Sequence, residues 1–550
     1  MTMNVNLAEP VEAAVLDAAH IGHIRGAFGT ILHGDVAPRE TWKHRLATLL
    51  AILGPGLIVM AGDNDAGAFA TYGQAGQTYG TTLLWTVALL IPVLYVNQEM
   101  VLRLGAVTGV GHARLIFERF GRFWGAFSVI DLFLLNALTI ITEFIGISLA
   151  LNYLGLNKAA GVIVAAGFIV AAASTGDFRR FERFSMVLVF GSLLLAPICL
   201  MVHPPLAQVA HDFVVPQIPA SGKLSDATLL IIGLVGTTVA PWQLFFQQSY
   251  VIDKRITPRF IRYERLDLWL GIALVIVGAV AIIAFTAAAF AGTPEFGNFT
   301  DAGGIAAGLE RYAGRAVGVM FAVALIDAAL IGASAVSLST AYAIGDVFSA
   351  RHSLHRKVTD AKGFYAVYVC LIAVSAAIVL TPGAPLGLLT VAVQTLAGVL
   401  LPSATVFLLL LCNDKAVLGP WVNGRWVNAL TGAVIAALVA LSVILTLSVL
   451  FPESANARTI LGILIGGGAA AIAIALVLMA HGQNDRRTTE PVEAVAAADR
   501  NAWRMPPLAS LPPAKLSLAA RAWMGILRLY LVVAGGLVLV RIVMLATGNG

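Results

Sequence analysis

Charge is scarce in this chain: Asp, Glu, Lys and Arg make up 12% of its 550 residues, about half the fraction of a soluble domain. Cysteine is scarcer still. Cys199, Cys370 and Cys412 all fall in hydrophobic segments without paired spacing, which argues against a disulfide framework and against a thiolate metal centre. No Gly-Lys-Ser/Thr phosphate loop is present, so ATP-driven pumping is not expected. The ten histidines form no close-spaced cluster. The net charge of +5 comes without a basic patch interleaved with aromatics, so no nucleic-acid partner is expected. The first 45 residues are polar-mixed and do not read as a signal peptide. No catalytic constellation lies outside the apolar segments, and no soluble stretch is large enough to be an enzyme.

What fills the chain instead is apolar sequence: 59% hydrophobic residues and a mean hydropathy of +0.87. Runs of 18 or more mostly apolar residues recur throughout, the signature of an all-α polytopic membrane protein. Twelve spans are predicted, near 47–72, 80–102, 124–150, 159–175, 185–203, 227–252, 267–291, 316–347, 363–381, 386–412, 427–450 and 459–480. A thirteenth hydrophobic helix, 522–547 within 521–550, carries Arg528 and Arg541 and either crosses or lies on the surface. Residues 1–46 read as a cytoplasmic N-terminal segment, either a surface helix or a tail, and 481–520, rich in Pro, Ala and charge, as a cytoplasmic linker.

Lys and Arg concentrate in alternate loops, for example Arg179, Arg180 and Arg183, then Lys254, Arg255, Arg259, Arg262 and Arg265. The opposite loops hold Lys158, Lys223, Arg311, Arg315 and Arg458. By the positive-inside rule this places the N-terminus in the cytoplasm. An integral protein of a bacterial inner (plasma) membrane fits. Oligomeric state stays open, and a monomer suffices.

Two spans are interrupted. The first is broken by Gly62-Asp63-Asn64-Asp65-Ala66-Gly67, and the sixth by Gly236-Thr237-Thr238-Val239-Ala240-Pro241-Trp242-Gln243. An Asp at the bilayer centre costs about 2.5–3.5 kcal/mol on insertion scales. Irregular backbone at that depth is tolerated only where protein surrounds it or a cavity is lined. Spans one and six each open a set of five, so 47–203 and 227–412 read as inverted repeats whose breaks meet near the midplane. Spans 11 and 12, 427–480, lie outside the repeats.

Such a site offers carboxylate, carbonyl and carboxamide oxygens, with no Met, Cys or His in either break. Hard cations suit that donor set, namely Mg²⁺, Ca²⁺ or Na⁺. Mg²⁺ keeps several waters, and small residues such as Ala66, Ala68 and Ala240 would leave room for them.

These stretches resemble the natural resistance-associated macrophage protein (NRAMP) family. Asp65, Ala66 and Ala68 stand where that family's first-helix motif has Asp, Pro and Asn. Ala240-Pro241-Trp242-Gln243 stands where it has Met-Pro-His-Asn. Glu143 matches a family glutamate, Ile140 the position of its proton-handling aspartate, and Gln394 ahead of Leu401-Pro402 a tenth-helix glutamine. The departures are similar to those of the NRAMP-related magnesium transporters. The resemblance covers roughly residues 40–480. It implies a LeuT-type fold with a 5+5 inverted repeat, discontinuous helices 1 and 6, alternating access, and import of hydrated Mg²⁺ with Mn²⁺ as a secondary substrate, without proton coupling. The ion is cargo, and no resident cofactor is expected. The lipid bilayer and the divalent ion are the expected partners. A proton-coupled Mn²⁺/Fe²⁺ transporter and a sodium-coupled organic solute transporter are the alternatives.

The expected metal-binding set is Asp65, Gln243, Gln394 and the backbone of Gly62 and Thr237, with Asn64, Ala68, Ala240, Glu143 and Trp242 around the pocket. Alternatives stay open residue by residue. Asp65 either binds the ion or caps the second half-helix. Asp63 and Asn64 either face the site or a vestibule, or cap locally. Glu143 is a proton relay, an acceptor for metal-bound water, or a member of a polar cluster, and Trp242 reads as packing. Asp131, Asp327 and Asp346 also lie in or near spans. His352 and His355, in a basic loop, read as solvated.

Overall fold

The computed structural model describes residues 18–217, 219, 224–381, 386–450, 458–469 and 497–514, with isolated positions beyond. The chain enters through α1 (Trp42–Ile52), α2 (Pro55–Asp63) and α3 (Ala66–Tyr79), followed by α4 (Leu84–Thr108), α5 (His112–Phe120) and α6 (Arg122–Tyr153). Next come α7 (Lys158–Ala173), α8 (Phe178–Gly191), α9 (Leu195–Val202) and α10 (Leu206–Val214). The second half holds α11 (Leu224–Thr238), α12 (Pro241–Asp253), α13 (Ile261–Phe290), α14 (Ala302–Ala313) and α15 (Arg315–Val347). It ends with α16 (Lys362–Leu380), α17 (Leu386–Cys412), α18 (Lys415–Leu418) and α19 (Arg425–Leu450). A last apolar helix, α20, is described over Arg458–Ala469.

Among the described residues nine helices are long and apolar enough to cross a membrane, or ten if the bent pair α1–α2 counts as one span. Of the twelve spans read from the sequence, the fourth is the 16-residue α7. The thirteenth candidate, 522–547, lies almost wholly outside the described residues. The first span is displaced from its expected bounds of 47–72. Gly54, at φ 153°, breaks the chain, α1 is bent 49° from α2, and the continuous crossing runs from Pro55 to Tyr79. Proline at the first helical position restarts the helix, since its missing N–H would be unused there. Asp267 of α13 takes the free N–H groups of Gly54 (3.2 Å) and Gly56 (2.6 Å).

The two five-span repeats are α2–α9 and α11–α17, and the third helices of each, α6 and α15, pack along one another. The half-helix α2 lies on α13 and its counterpart α12 lies on α4. Within a bilayer small residues, not apolar transfer, allow such close packing. A Cβ at Gly56 would sit 2.7 Å from the Leu268 amide, and one at Gly271 would sit 2.6 Å from the Gly56 carbonyl.

The N-terminal segment departs from expectation. Residues 21–32 form no surface helix. They make a small antiparallel hairpin, β1 (Ile24–Arg25) with β2 (Thr30–Ile31), whose Ile24 and Ile31 are buried. Residues within the stretch read as a linker are fastened to the same face. The Trp421 indole donates to the Arg500 carbonyl (2.9 Å), and Arg119 donates to that of Pro512 (2.6 Å).

His352 corrects the reading of a solvated loop. It is buried, with Nε2 3.1 Å from Asp346 Oδ1 and Nδ1 2.7 Å from the Ala350 carbonyl. Burial disfavours its charge, but the Asp346 carboxylate outweighs that and raises the ring's pKa to about 9. A base whose folded pKa is raised contributes stability that is complete below its ordinary 6.5 and lost as pH climbs through 9. The contribution is about 3 kcal/mol at 1.36 kcal/mol per unit. Melting of the detergent-solubilised protein is therefore expected to fall between pH 7 and roughly pH 9.5, and His352→Gln should flatten that part of the profile. An unchanged slope in the variant would remove His352 as the cause.

Candidate functional site

Both interruptions lie where the sequence places them, and the same event creates them. In α2 the helix ends at Asp63, and α3 restarts with Asp65 as its cap, Oδ1 accepting the Ala68 N–H at 2.8 Å. In a continuous helix the Gly62 carbonyl would receive the Ala66 N–H. That N–H goes instead to Glu143 Oε2 on α6, at 3.0 Å. In the sixth span the Thr237 carbonyl faces Pro241, which has no N–H to give. Two carbonyls, one per repeat, are thus released from helical pairing, one by a borrowed acceptor and the other by proline. Such half-helix C-termini, with their partial negative charge, favour a cation.

Around these carbonyls the structure collects carboxyl and carboxamide groups, all buried. Gln243 Nε2 donates to Asp63 Oδ1, and Gln243 Oε1 accepts from Gln98 Nε2 of α4 at 2.7 Å. The Tyr72 and Thr238 hydroxyls bond at 2.7 Å across the two breaks. Asp65 and Glu143 lie side by side over Gly332 of α15, where a Cβ would come within 2.9 Å of both. Gly67 makes similar room for Gln394, whose Nε2 would be 1.7 Å from a Cβ there, with Asp65 Oδ1 at 3.1 Å. Asp63 Oδ2, Glu143 Oε1, Thr237 Oγ1, Gln98 Oε1 and Gln394 Nε2 are buried without a hydrogen-bond partner. Leaving such a group unmet costs about 1–3 kcal/mol, so their convergence on one place calls for polar contents.

Asp65, Gln243, Gln394, Gly62, Thr237, Ala68, Ala240, Glu143 and Trp242 thus gather around the two breaks. Ala68 supplies the N–H that Asp65 caps, and Ala240 is the uncapped start of α12. Trp242 fills the space beside Gly62, where a Cβ would lie 3.3 Å from its ring. Asn64 is the exception. Its Nδ2 turns to the Val275 carbonyl of α13 at 3.3 Å, away from Gln243 and Asp65. Asp63, left open by the sequence, points at Gln243. Gln98 is a site residue that sequence reasoning missed. The polar run Asn97-Gln98-Glu99 inside an otherwise apolar span is the available signal.

The breaks are closed off on both sides. Asp63, Asp65 and Gln243 are no more than 3% exposed. From Ala66 a crevice of about 220 Å³, too tight for a water molecule, runs past Ala70, Gly146 and Leu149 to Asp301 and Thr390. Among the described residues no three His, Cys, Asp or Glu side chains form a ready-made cage for a bare ion. Carbonyls, carboxamides or water would complete any coordination.

Paired broken helices facing each other at mid-bundle, lined by carboxyl groups and freed carbonyls, define a membrane transporter of the LeuT-like architecture. The Nramp (natural resistance-associated macrophage protein-like) family pattern matches residues 56–448, and the chain belongs to that family. It is 30% identical over 416 residues to the divalent metal cation transporter MntH of Ralstonia nicotianae, covering 72% of this chain and 90% of that one. To the MntH of Pectobacterium carotovorum it is 28% identical over 417 residues, covering 72% and 94%. These relatives are transporters, in line with the reading that the chain is not an enzyme. Among solved structures, a manganese transporter of Eremococcus coleocola superposes with a TM-score of 0.58 at 18% identity, covering 83% of this chain and 98% of that one.

Proposed function

We propose that this protein imports Mg²⁺, and Mn²⁺ as a secondary substrate, by alternating access and without a coupled proton. Divalent metal transport rests on family membership and on the MntH relatives. The observation that carries the choice of ion is the donor set. Every unpartnered acceptor at the breaks is oxygen, from Asp63, Glu143, Thr237 and Gln98. A softer ion would gain from a thioether or an imidazole, and Ala240 and Trp242 offer neither. The small side chains of Ala66, Ala68 and Ala240 suit an ion that retains water. The cluster of basic residues beside α8 and α12 supports a cytoplasmic N-terminus in a bacterial inner membrane.

Coupling is not required energetically. Two charges moving inward across roughly 100 mV gain about 4.6 kcal/mol, equivalent to roughly a 2,000-fold gradient. Ile140 offers no proton site, and the Glu143 oxygen beside α3 is engaged in capping Ala66. The manganese transporter among the structural neighbours keeps proton-coupled Mn²⁺ uptake as the competing reading.

Proteoliposomes containing the full chain and an internal Mg²⁺ indicator decide between them. Mg²⁺ influx driven by an inside-negative potential, with unchanged internal pH and competed by external Mn²⁺, is the expected result. Mn²⁺ influx matched by acidification, with Mg²⁺ inert, would replace this proposal with its rival.

A further inference from the structure

We infer that residues 18–37 are a clamp over the N-terminal face of the transporter, and that the clamp must lift before an ion can leave the breaks on that side. The inference rests on the transport proposed above and adds a moving part to it.

The strap is held by four arginines from two separate elements, each donating to its backbone. From α8, Arg179 donates to the carbonyls of Gly26 and Gly29 (both 2.8 Å) and to Thr30 Oγ1 (2.9 Å), and Arg183 to that of Ala27 (3.1 Å). From the segment after α12, Arg255 donates to the carbonyls of Ala19 and His23 and Arg259 to those of Asp35 and Ala37. One short piece of chain thereby ties the end of the second broken helix to the fifth span of the first repeat.

It also presses on the hinge of the first. A Cβ at Gly26 would fall 2.0 Å from the Ala51 carbonyl and one at Gly29 3.0 Å from Ala51 Cβ, so the hairpin sits flush on the end of α1. Three residues on, Gly54 lies against Glu182 and Lys254. The other oxygen of Glu182 accepts the Ala27 N–H of the strap. Strap and hinge therefore share one buried partner. The half-helix α2, nine residues long and so about 13 Å at 1.5 Å per residue, is all that separates this hinge from the site. Opening on this face means parting α2 from α12 and α8, and the strap is fastened across that seam.

The test uses full-length protein in which Cys199, Cys370 and Cys412 are alanine and Ala51→Cys reports strap position through a membrane-impermeant maleimide. Ala51 is fully buried under the strap. Arg179→Gln with Arg183→Gln removes four bonds to the strap and touches no group at the breaks. Labelling of the introduced thiol in that variant is expected to rise at least tenfold, and initial Mg²⁺ influx in liposomes several-fold. In the variant without arginine changes, labelling should accelerate under an Mg²⁺ gradient, which a purely structural strap would not produce. Equal labelling with and without a gradient, or faster labelling without faster influx, overturns the clamp. Absent Mg²⁺ influx in the unaltered protein counts against the substrate proposal alone, because labelling of the arginine variant needs no ion.

Discussion

Asp65→Asn is expected to cut Mg²⁺ influx about a hundredfold, equivalent to roughly 2.8 kcal/mol at 1.4 kcal/mol per decade, while leaving the fold intact. The substitution separates the two roles the residue holds. As the cap of α3, Asp65 accepts the Ala68 N–H, and asparagine caps a helix about as well as aspartate. The thermal midpoint should therefore stay close to wild type. As a ligand, the same side chain supplies one of the few charges at the breaks, and hydrogen bonds or coordination through a charged oxygen are worth more than through an amide. Asp65→Ala should add the loss of the cap, about 1 kcal/mol, and lower the midpoint as well. Wild-type influx through Asp65→Asn would make the carboxylate a cap and nothing more.

The breaks themselves are legible because their cause is local. Asp63, Asp65, Gly62 and Pro241 each conflict with an uninterrupted apolar helix, and a conflict of that kind shows in a single line of sequence. The surroundings are harder. Gln98, Gly332 and Gln394 reach the site from α4, α15 and α17 across long sequence separations, and only Gln394 is signalled in the sequence, through resemblance to a family. Asn64 stands between two aspartates and yet turns to α13, because a helix break changes side-chain direction within one residue. The first span is misplaced for a related reason: Leu46 to Ile52 is apolar enough to read as membrane, and only the left-handed glycine at 54 shows that the chain bends there. The hairpin of residues 24–31 is illegible because its two-residue strands are stabilised by distant arginines, not by any periodicity of their own.

Lys254→Met should be the most damaging single change outside the breaks. Lys254 and Glu182 are both 0% exposed and 2.6 Å apart, and the ammonium also donates to the carbonyls of Ile52 (2.6 Å) and Leu53 (2.8 Å). Its three donors are thus fully used, two on the hinge and one on α8. Glu264 and Asp267 share its surroundings, and both Glu264 oxygens lack a hydrogen-bond partner. One cation therefore serves several acidic groups. Removing one member of a buried ion pair costs about 3–5 kcal/mol, because the partner is left uncompensated. Glu182→Gln should cost far less, since its amide oxygen can still accept from Lys254. Thermal unfolding in detergent is expected to rank wild type above Glu182→Gln and both well above Lys254→Met. Equal losses for the two variants would mean that the pair matters only as a pair, and that Lys254 has no separate hold on the hinge between α1 and α2.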